Sequence, residues 1–202
     1  MSIKAVLFDL GKVLIHFDFE PAFKRLAKHC KKEPVDIRNF FASSGLEVLY
    51  DGGKISSRKF YLEVKRGLGF SLSYAQFQRL WNSVFTPVPG MARLVHRVSR
   101  HKRLVLVSNT NEMHFSYVKK RYPVLKKFHT HVLSYQEKIR KPDERIYRKA
   151  LKACGAKARE VLYIDDREDL TSAAKELGFH VYTFKNDRPK LEKILKKHGA
   201  LK

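Results

Sequence analysis

Ile3-Lys4-Ala5-Val6-Leu7-Phe8-Asp9-Leu10-Gly11 is the stretch that decides the fold. An apolar run this short, stopping on a carboxylate, reads as a buried strand with a polar group at its C-terminal end. The same pattern returns further along the chain. Leu104-Val105-Leu106-Val107 is followed by Ser108-Asn109-Thr110-Asn111, and Val161-Leu162-Tyr163-Ile164 by Asp165-Asp166. Two more short strands are expected around His131-Val132-Leu133 and over His180-Val181-Tyr182-Thr183-Phe184. Between them lie segments with helical spacing: Leu94, Val95 and Val98, then residues near 112–120, Pro142 to Cys154, and residues near 168–177. Strands alternating with helices of this length predict βαβ units, and so an α/β fold with a doubly wound parallel sheet.

Residues 17–85 depart from that alternation. Phe19, Phe23, Leu26 and Ala27 recur at helical spacing, as do Phe60, Val64 and Leu68, and Phe77, Leu80, Trp81 and Val84. Ser56 and Ser73 are placed to cap helices. Pro34, Gly52-Gly53 and Gly67 to Gly69 punctuate the stretch, and Pro87 and Pro89 mark its return to the sheet. The expected organisation is a core of residues 1–16 and 86–202 with an α-helical insertion at 17–85. Phe40, Phe41, Phe60, Phe77 and Trp81 are read as the core of that insertion.

Composition narrows the function. The 202 residues are 44% hydrophobic, enough for a packed core. No apolar run approaches the roughly 18 residues that span a bilayer. Met1 to Lys4 lacks the features of a signal peptide, so a cytoplasmic protein is expected. Cys30 and Cys154 form no metal-like pair and are expected to be free thiols. Lys plus Arg number 42 against 20 acidic residues, a formal charge of +22. That field attracts anions, phosphoesters and nucleic acids among them. The basic residues are scattered, however, and alternate with aromatics in no recognisable nucleic-acid module. A nucleic-acid partner is therefore not favoured. Nothing in the sequence reports oligomeric state.

The C-terminal ends of neighbouring parallel strands converge on a crevice where ligands bind. Asp9, Ser108, Asn109, Asp165 and Asp166 all fall at such ends, with Lys141 just before Pro142. Alone, Asp9 reads as a helix cap after a strand, Lys141 as a surface lysine and Ser108 as an N-cap. Together they suit phosphoryl chemistry. Asp9 and Asp166 supply hard oxygen ligands of the kind Mg²⁺ takes. The Ser108 hydroxyl and a backbone N–H near Asn109 can hold phosphate oxygens. Lys141 can offset the remaining negative charge. A carboxylate such as Asp9 can attack phosphorus, giving an aspartyl-phosphate that water cleaves.

These segments resemble the motifs of the haloacid dehalogenase (HAD) superfamily. Phe8-Asp9-Leu10-Gly11-Lys12-Val13-Leu14 is similar to its first motif and Val107-Ser108-Asn109-Thr110 to its second. Arg140-Lys141-Pro142-Asp143-Glu144-Arg145-Ile146-Tyr147 is similar to the third, and Tyr163-Ile164-Asp165-Asp166 to the fourth. The helical insertion resembles a C1 cap. The resemblance implies a Mg²⁺-dependent phosphohydrolase with a small phosphorylated metabolite as substrate. It implies Asp9 as nucleophile and metal ligand, and the Gly11 carbonyl and Asp166 as further metal ligands. It also implies Ser108, Asn109 and Lys141 around the phosphoryl group, and Asp165 behind the ligands, pairing with Lys141.

Two positions depart from the family pattern. Most phosphatases of the superfamily carry an acid–base Asp two residues after the nucleophile, and here that position is Gly11. Loss of a general acid typically lowers the rate by about 10²–10⁴, least for esters with good leaving groups. Sugar 1-phosphates are such esters. The Asp-Leu-Gly variant resembles a branch that includes a glucose-1-phosphate phosphatase, so a sugar-1-phosphate-like substrate is expected. Asp18 or His16 is a candidate replacement acid. The second departure is Leu170, where relatives often have Asn or Asp, with Asp169 adjacent as a substitute. The lost acid and the high charge together motivate an alternative reading, a catalytically weak fold used as a basic module that binds nucleic acid or protein. Tyr50-Asp51-Gly52-Gly53 is expected to be a turn of the insertion facing the crevice.

Overall fold

The computed structural model describes residues 3–202, so the first two residues of the Met1 to Lys4 segment lie outside the described residues. The strands are β1 (Ala5–Phe8), β2 (Ile15–Phe17), β3 (Phe85–Pro87), β4 (Arg103–Ser108), β5 (Thr130–Leu133), β6 (Val161–Asp165) and β7 (His180–Thr183). The helices of the first half are α1 (Glu20–Ala27), α2 (Pro34–Ser44), α3 (Leu46–Asp51), α4 (Ser57–Leu68) and α5 (Tyr74–Trp81). Those of the second half are α6 (Met91–Ser99), α7 (Glu112–Arg121), α8 (Ser134–Glu137), α9 (Glu144–Cys154), α10 (Glu168–Glu176) and α11 (Arg188–Lys197).

Five strands form a parallel sheet in the order β5-β4-β1-β6-β7. The expected doubly wound fold is what forms, because the central strands β1, β4 and β6 bury both faces. Val6 and Phe8 of β1, Leu104 and Leu106 of β4, and Leu162 and Ile164 of β6 join one core layer with Leu94, Val95 and Val98 of α6 and Leu191 and Leu195 of α11. The alternate residues Ala5, Leu7, Val105, Val107, Val161 and Tyr163 join the other, with Ile146, Tyr147 and Ala150 of α9 and Ala174 of α10. The period of two in side-chain direction sends alternate residues to opposite helical layers. The chain runs from β1 outward to β4 and β5, then returns to the far side of β1 for β6 and β7, so the winding reverses at β1.

Between β2 and β3 the chain builds five helices around a separate apolar cluster, including Phe23, Leu26, Phe41, Phe60, Phe77 and Trp81, with Phe40 packed half-buried against it. Ser56 caps α4 by accepting from the Lys59 N–H, and Ser73 forms a capping box with Gln76 at the start of α5. The neck is a two-stranded antiparallel ribbon in which Ile15 pairs with Pro87 and Phe17 with Phe85. Sequence periodicity did not mark these strands, because three residues are too few to set a period. Both cysteines are free, Cys154 buried and Cys30 half-buried. Among the described residues no helix is long and apolar enough to cross a membrane.

Candidate active site

The register of the sheet brings the polar strand ends together. Phe8 lies level with Leu106 on one side and Ile164 on the other, so the next residue, Asp9, sits between the ends of β4 and β6. The Asp9 N–H donates to the Ile164 carbonyl at 2.9 Å, extending the ladder by one bond and fixing the carboxylate at the reversal of winding. Asp165 is the last residue of β6, and Asp166 follows it.

Lys141 crosses to this point from the loop ahead of α9. Its Nζ donates to Asp9 Oδ1 at 2.7 Å, to Asp165 Oδ2 at 2.6 Å and to the Val107 carbonyl at 3.0 Å. All three ammonium hydrogens are thus used. Burial disfavours the Lys141 ammonium, but the two carboxylates outweigh that and hold it firmly protonated. Burial pushes Asp9 up to about 7, with the Lys141 charge opposing the rise and Asp165 adding to it. The loop that carries Lys141 is itself clamped, since Asn109 Oδ1 accepts from the Lys141 N–H at 2.8 Å and Asn109 Nδ2 donates to the Lys141 carbonyl at 2.9 Å.

The carboxylate oxygens of Asp9, Asp165 and Asp166 approach within 4.8 Å of one another. Three carboxylates against one hydrogen-bonded ammonium leave an excess of negative charge that a divalent cation offsets, and the donors are all hard oxygens. The oxygens differ in availability. Asp165 Oδ2 accepts from Lys141 and from the Tyr163 hydroxyl, and its Oδ1 accepts from the Arg167 N–H at 3.0 Å. Asp166 is half-buried, and burial and then the neighbouring Asp165 charge raise its carboxyl. A cation would therefore find Asp9 and Asp166 more open than Asp165. Leu170 is buried in the core, and Asp169 turns outward to pair with Arg167. Neither belongs to the carboxylate group.

Beside this cluster lies a cavity of about 190 Å³. Its core wall includes Gly11, Ser108, Asn109, Thr110 and Asn111, and its facing wall includes Glu47 and Asp51 of α3. Phe17, Phe19 and Phe85 close the sides. Ser108 is buried at the end of β4, and the Asn109 N–H donates to no group among the described residues, whereas the next N–H, of Thr110, is taken by Ser134 Oγ at 2.9 Å. The Asn109 side chain is spent on the Lys141 backbone, so only its main chain faces a ligand. His114 also lines the cavity, where burial pushes it down to about 3 and keeps it neutral.

The replacement acids considered from sequence do not reach the cavity. Ile15 and Phe17 of β2 line it, and strand alternation turns His16 between them to the other face. Asp18 Oδ1 instead accepts from the Glu20 N–H at 2.9 Å, at the start of α1. Sequence reasoning gave no role to Asn111, which does two things. Its Oδ1 accepts from the His114 N–H at 3.0 Å as the cap of α7, and its Nδ2 donates to Asp51 Oδ1 at 2.9 Å across to the insertion. The N-cap of α7 is therefore Asn111 and not Ser108, because Asn111 stands directly ahead of the first helical residue, and no local pattern marks its second bond. A parallel link runs from the Met113 N–H to the Tyr50 hydroxyl (3.1 Å), on to Ser57 Oγ (2.7 Å), and from there to Glu112 Oε2 (2.6 Å). The expected turn at Tyr50 to Gly53 is the docked end of α3. Gly53 has a positive φ of 64°, and a Cβ there would fall 2.1 Å from the Tyr135 carbonyl oxygen.

Comparison with known proteins follows the same lines. Residues 3–199 match the model of the haloacid dehalogenase-like hydrolase family. A HAD family enzyme of Bacteroides thetaiotaomicron, BT-2542, solved in complex with magnesium and inorganic phosphate, is 29% identical with a TM-score of 0.85, over 94% of this chain and 99% of that one. A predicted HAD-like hydrolase from Porphyromonas gingivalis is 27% identical with a TM-score of 0.82, over 97% and 99% of the two chains. The chain is also 28% identical over 197 residues, 93% of its length, to acyl-CoA dehydrogenase family member 10 of Mus musculus, of which it spans only 18%. From the convergent strand ends, the lysine-bridged carboxylates and a family match that runs nearly end to end, the chain belongs to the haloacid dehalogenase-like hydrolase family.

Proposed function

We propose that this hydrolase cleaves a small phosphomonoester, sugar-1-phosphate-like, through an aspartyl-phosphate on Asp9. The observation that carries the reading is the Lys141 ammonium held between Asp9 and Asp165, with Asp166 beside them. The binding-module alternative needs none of this buried charge.

In the proposed reaction Lys141 holds Asp9 Oδ1, so the other oxygen is the one presented to phosphorus. As that bond forms, the bond to the leaving oxygen breaks. Water then cleaves the acyl phosphate and restores the carboxylate. Ser108 Oγ and the Asn109 N–H are assigned to the phosphoryl oxygens, and Lys141, whose hydrogens are taken, is assigned to offsetting phosphoryl charge through space. Asp9, Asp166 and the Gly11 carbonyl, which accepts no main-chain bond within its own turn, are assigned to Mg²⁺. The magnesium complex of the Bacteroides enzyme supports that choice of metal. When bound, the ion supplies positive charge against the phosphoryl group. Asp165 is assigned to holding Lys141. The helical insertion, residues 17–85 hinged at the ribbon, is assigned the part of a cap that shuts out water over the core of residues 1–16 and 86–202.

The test is phosphate release from a panel of phosphomonoesters with Mg²⁺, with glucose 1-phosphate and an aryl phosphate at its head and 6-phosphates as poor-leaving-group controls. Mg²⁺-dependent turnover that disappears in Asp9→Asn supports the reading, and no turnover of any ester by the metal-loaded protein overturns it.

A further inference from the structure

The facing wall of the cavity holds a carboxyl group that the reaction above does not use. Glu47 and Asp51 are four residues apart on α3, which puts both on one face of the helix, and both line the cavity opposite Ser108 and Asn109. Their situations differ. Asp51 Oδ1 accepts from Asn111, and the Asp51 carbonyl accepts from Ser134 Oγ at 2.6 Å, so Asp51 belongs to the docking of the insertion. The Glu47 carboxyl accepts no hydrogen bond from any described residue. A carboxyl lining a cavity without a donor is one that a ligand can satisfy.

Glu47 lines the same cavity of about 190 Å³ as Ser108 and Asn109, so a phosphoryl group seated on those two would put its ester substituent into the space that Glu47 borders. We propose, building on the phosphohydrolase reading, that Glu47 is the residue that selects the leaving group, accepting hydrogen bonds from the hydroxyls of a polyol and rejecting substituents that carry a second negative charge.

The electrostatics favour a neutral polyol over an ammonium group. Burial raises Glu47 to about 7, the Asp51 charge adds to the rise, and Arg140 opposes it. Near neutral pH Glu47 is therefore only partly ionised, and the positive charge of Arg140 acts on it. A half-charged carboxyl beside an arginine hydrogen-bonds hydroxyls well and attracts cations weakly. His114 across the cavity is neutral. The charged groups on the helices packed against α3 are taken up elsewhere: Glu137 of α8 by Lys149, Lys59 of α4 by Glu63, and Arg38 of α2 by Glu20. Arg58 of α4 lies over the Tyr61 and Tyr74 rings. The three phenylalanines of the side walls give a polyol's C–H faces an apolar surface to rest on.

The experiment compares kcat/KM for glucose 1-phosphate, 3-phosphoglycerate and phosphocholine, each relative to phenyl phosphate, in the Mg²⁺-loaded wild type, Glu47→Gln and Glu47→Lys. The wild type is expected to prefer glucose 1-phosphate. In Glu47→Lys the preference for glucose 1-phosphate over 3-phosphoglycerate should fall by at least about tenfold, since a like charge becomes an opposite one. Glu47→Gln should fall between the two, and wild-type discrimination against 3-phosphoglycerate should sharpen as pH rises through 7. Unchanged ratios in both variants, with phenyl phosphate still turned over, overturn this inference and leave the phosphohydrolase reading standing. A wild-type preference for phosphocholine also overturns it, in favour of an ammonium-binding wall. Failure of the Mg²⁺-loaded wild type to hydrolyse any of the four esters overturns both.

Discussion

The Phe17 ring stands where a side chain at position 11 would begin. A Cβ built on Gly11 falls 2.8 Å from Phe17 Cε1, inside van der Waals contact, and 3.7 Å from Asp9 Oδ2. The position that carries the acid–base Asp in most phosphatases of the superfamily is thus both vacant in sequence and occupied in space. Restoring the acid requires the ring to move. Gly11→Asp is expected to lose about 1–3 kcal/mol of stability to crowding. Phe17→Ala should recover much of that loss in the double variant, because Phe17 is partly exposed. Chemical denaturation of the two single variants and the double variant gives the coupling. Additive effects would show that the two side chains do not compete. Turnover of 6-phosphates should rise in the double variant above that of Phe17→Ala alone.

Magnesium should stabilise the folded protein by mass action. At a concentration one hundred times its dissociation constant, a ligand of the native state contributes about 2.7 kcal/mol. A thermal-shift titration should therefore show a rise in Tm with Mg²⁺ that is lost in Asp166→Asn. The rise should shrink below pH 7, since Asp9 must be ionised to hold the metal and burial has pushed it up to about 7. An undiminished shift in Asp166→Asn would remove Asp166 from the ligand set.

Lys141→Met leaves Asp9 and Asp165 facing each other without their shared ammonium. Breaking a buried charge group by removing one partner typically destabilises by about 3–5 kcal/mol. The variant should be inactive and less stable by about that amount at pH 8. The loss should be smaller at pH 5, where Asp9 takes up a proton. Urea denaturation at the two pH values tests the difference.

Glu47 makes stability depend on pH in a definite direction. Its folded carboxyl titrates near 7, above its ordinary value of 4.5. The folded state therefore binds the proton more tightly than the unfolded chain. Its contribution is fully present below about pH 4.5 and is lost as pH rises through 7. Glu47→Gln should flatten the fall in stability over that range by no more than about 3 kcal/mol, the free-energy equivalent of the shift. Denaturant midpoints from pH 4.5 to 8 measure it, and identical slopes in both proteins would place the ionisation elsewhere.

The bonds from Asn111 to Asp51 and from Met113 to Tyr50 are expected to hold the insertion down on the core. Asn111→Ala leaves the half-buried Asp51 carboxylate without its donor, at a cost of at most about 1–3 kcal/mol. Amide hydrogen exchange in α3 should speed up in this variant while exchange in β1 and β4 stays slow. Uniform acceleration through the sheet would mean global destabilisation, with no local release of the insertion.

The fold was legible in the sequence because its signal is local. An apolar run such as Val6-Leu7-Phe8 or Leu104 to Val107 is a buried strand wherever it is placed, and the strand–helix alternation leaves few topologies. The residue types Asp9, Ser108 and Asp166 at strand ends, with Lys141 before Pro142, also announced phosphoryl chemistry, since the C-terminal edge of a parallel sheet gathers such ends by construction. What tertiary structure alone decided concerns contacts between residues far apart in the chain. Asn109 reads as a phosphate-facing residue in sequence, but its side chain clamps the Lys141 backbone 32 positions away. Phe17, six positions after Gly11, fills its vacancy only because the β2–β3 ribbon folds back over the first loop. Glu47 carries no motif at all, and only the docking of α3 on the Asn111 loop brings its carboxyl to the cavity. Spacing along a chain fixes which residues share a strand end or a helix face. Which side chains then meet is set by the packing of surfaces whose partners lie dozens of residues away, and no local pattern encodes that.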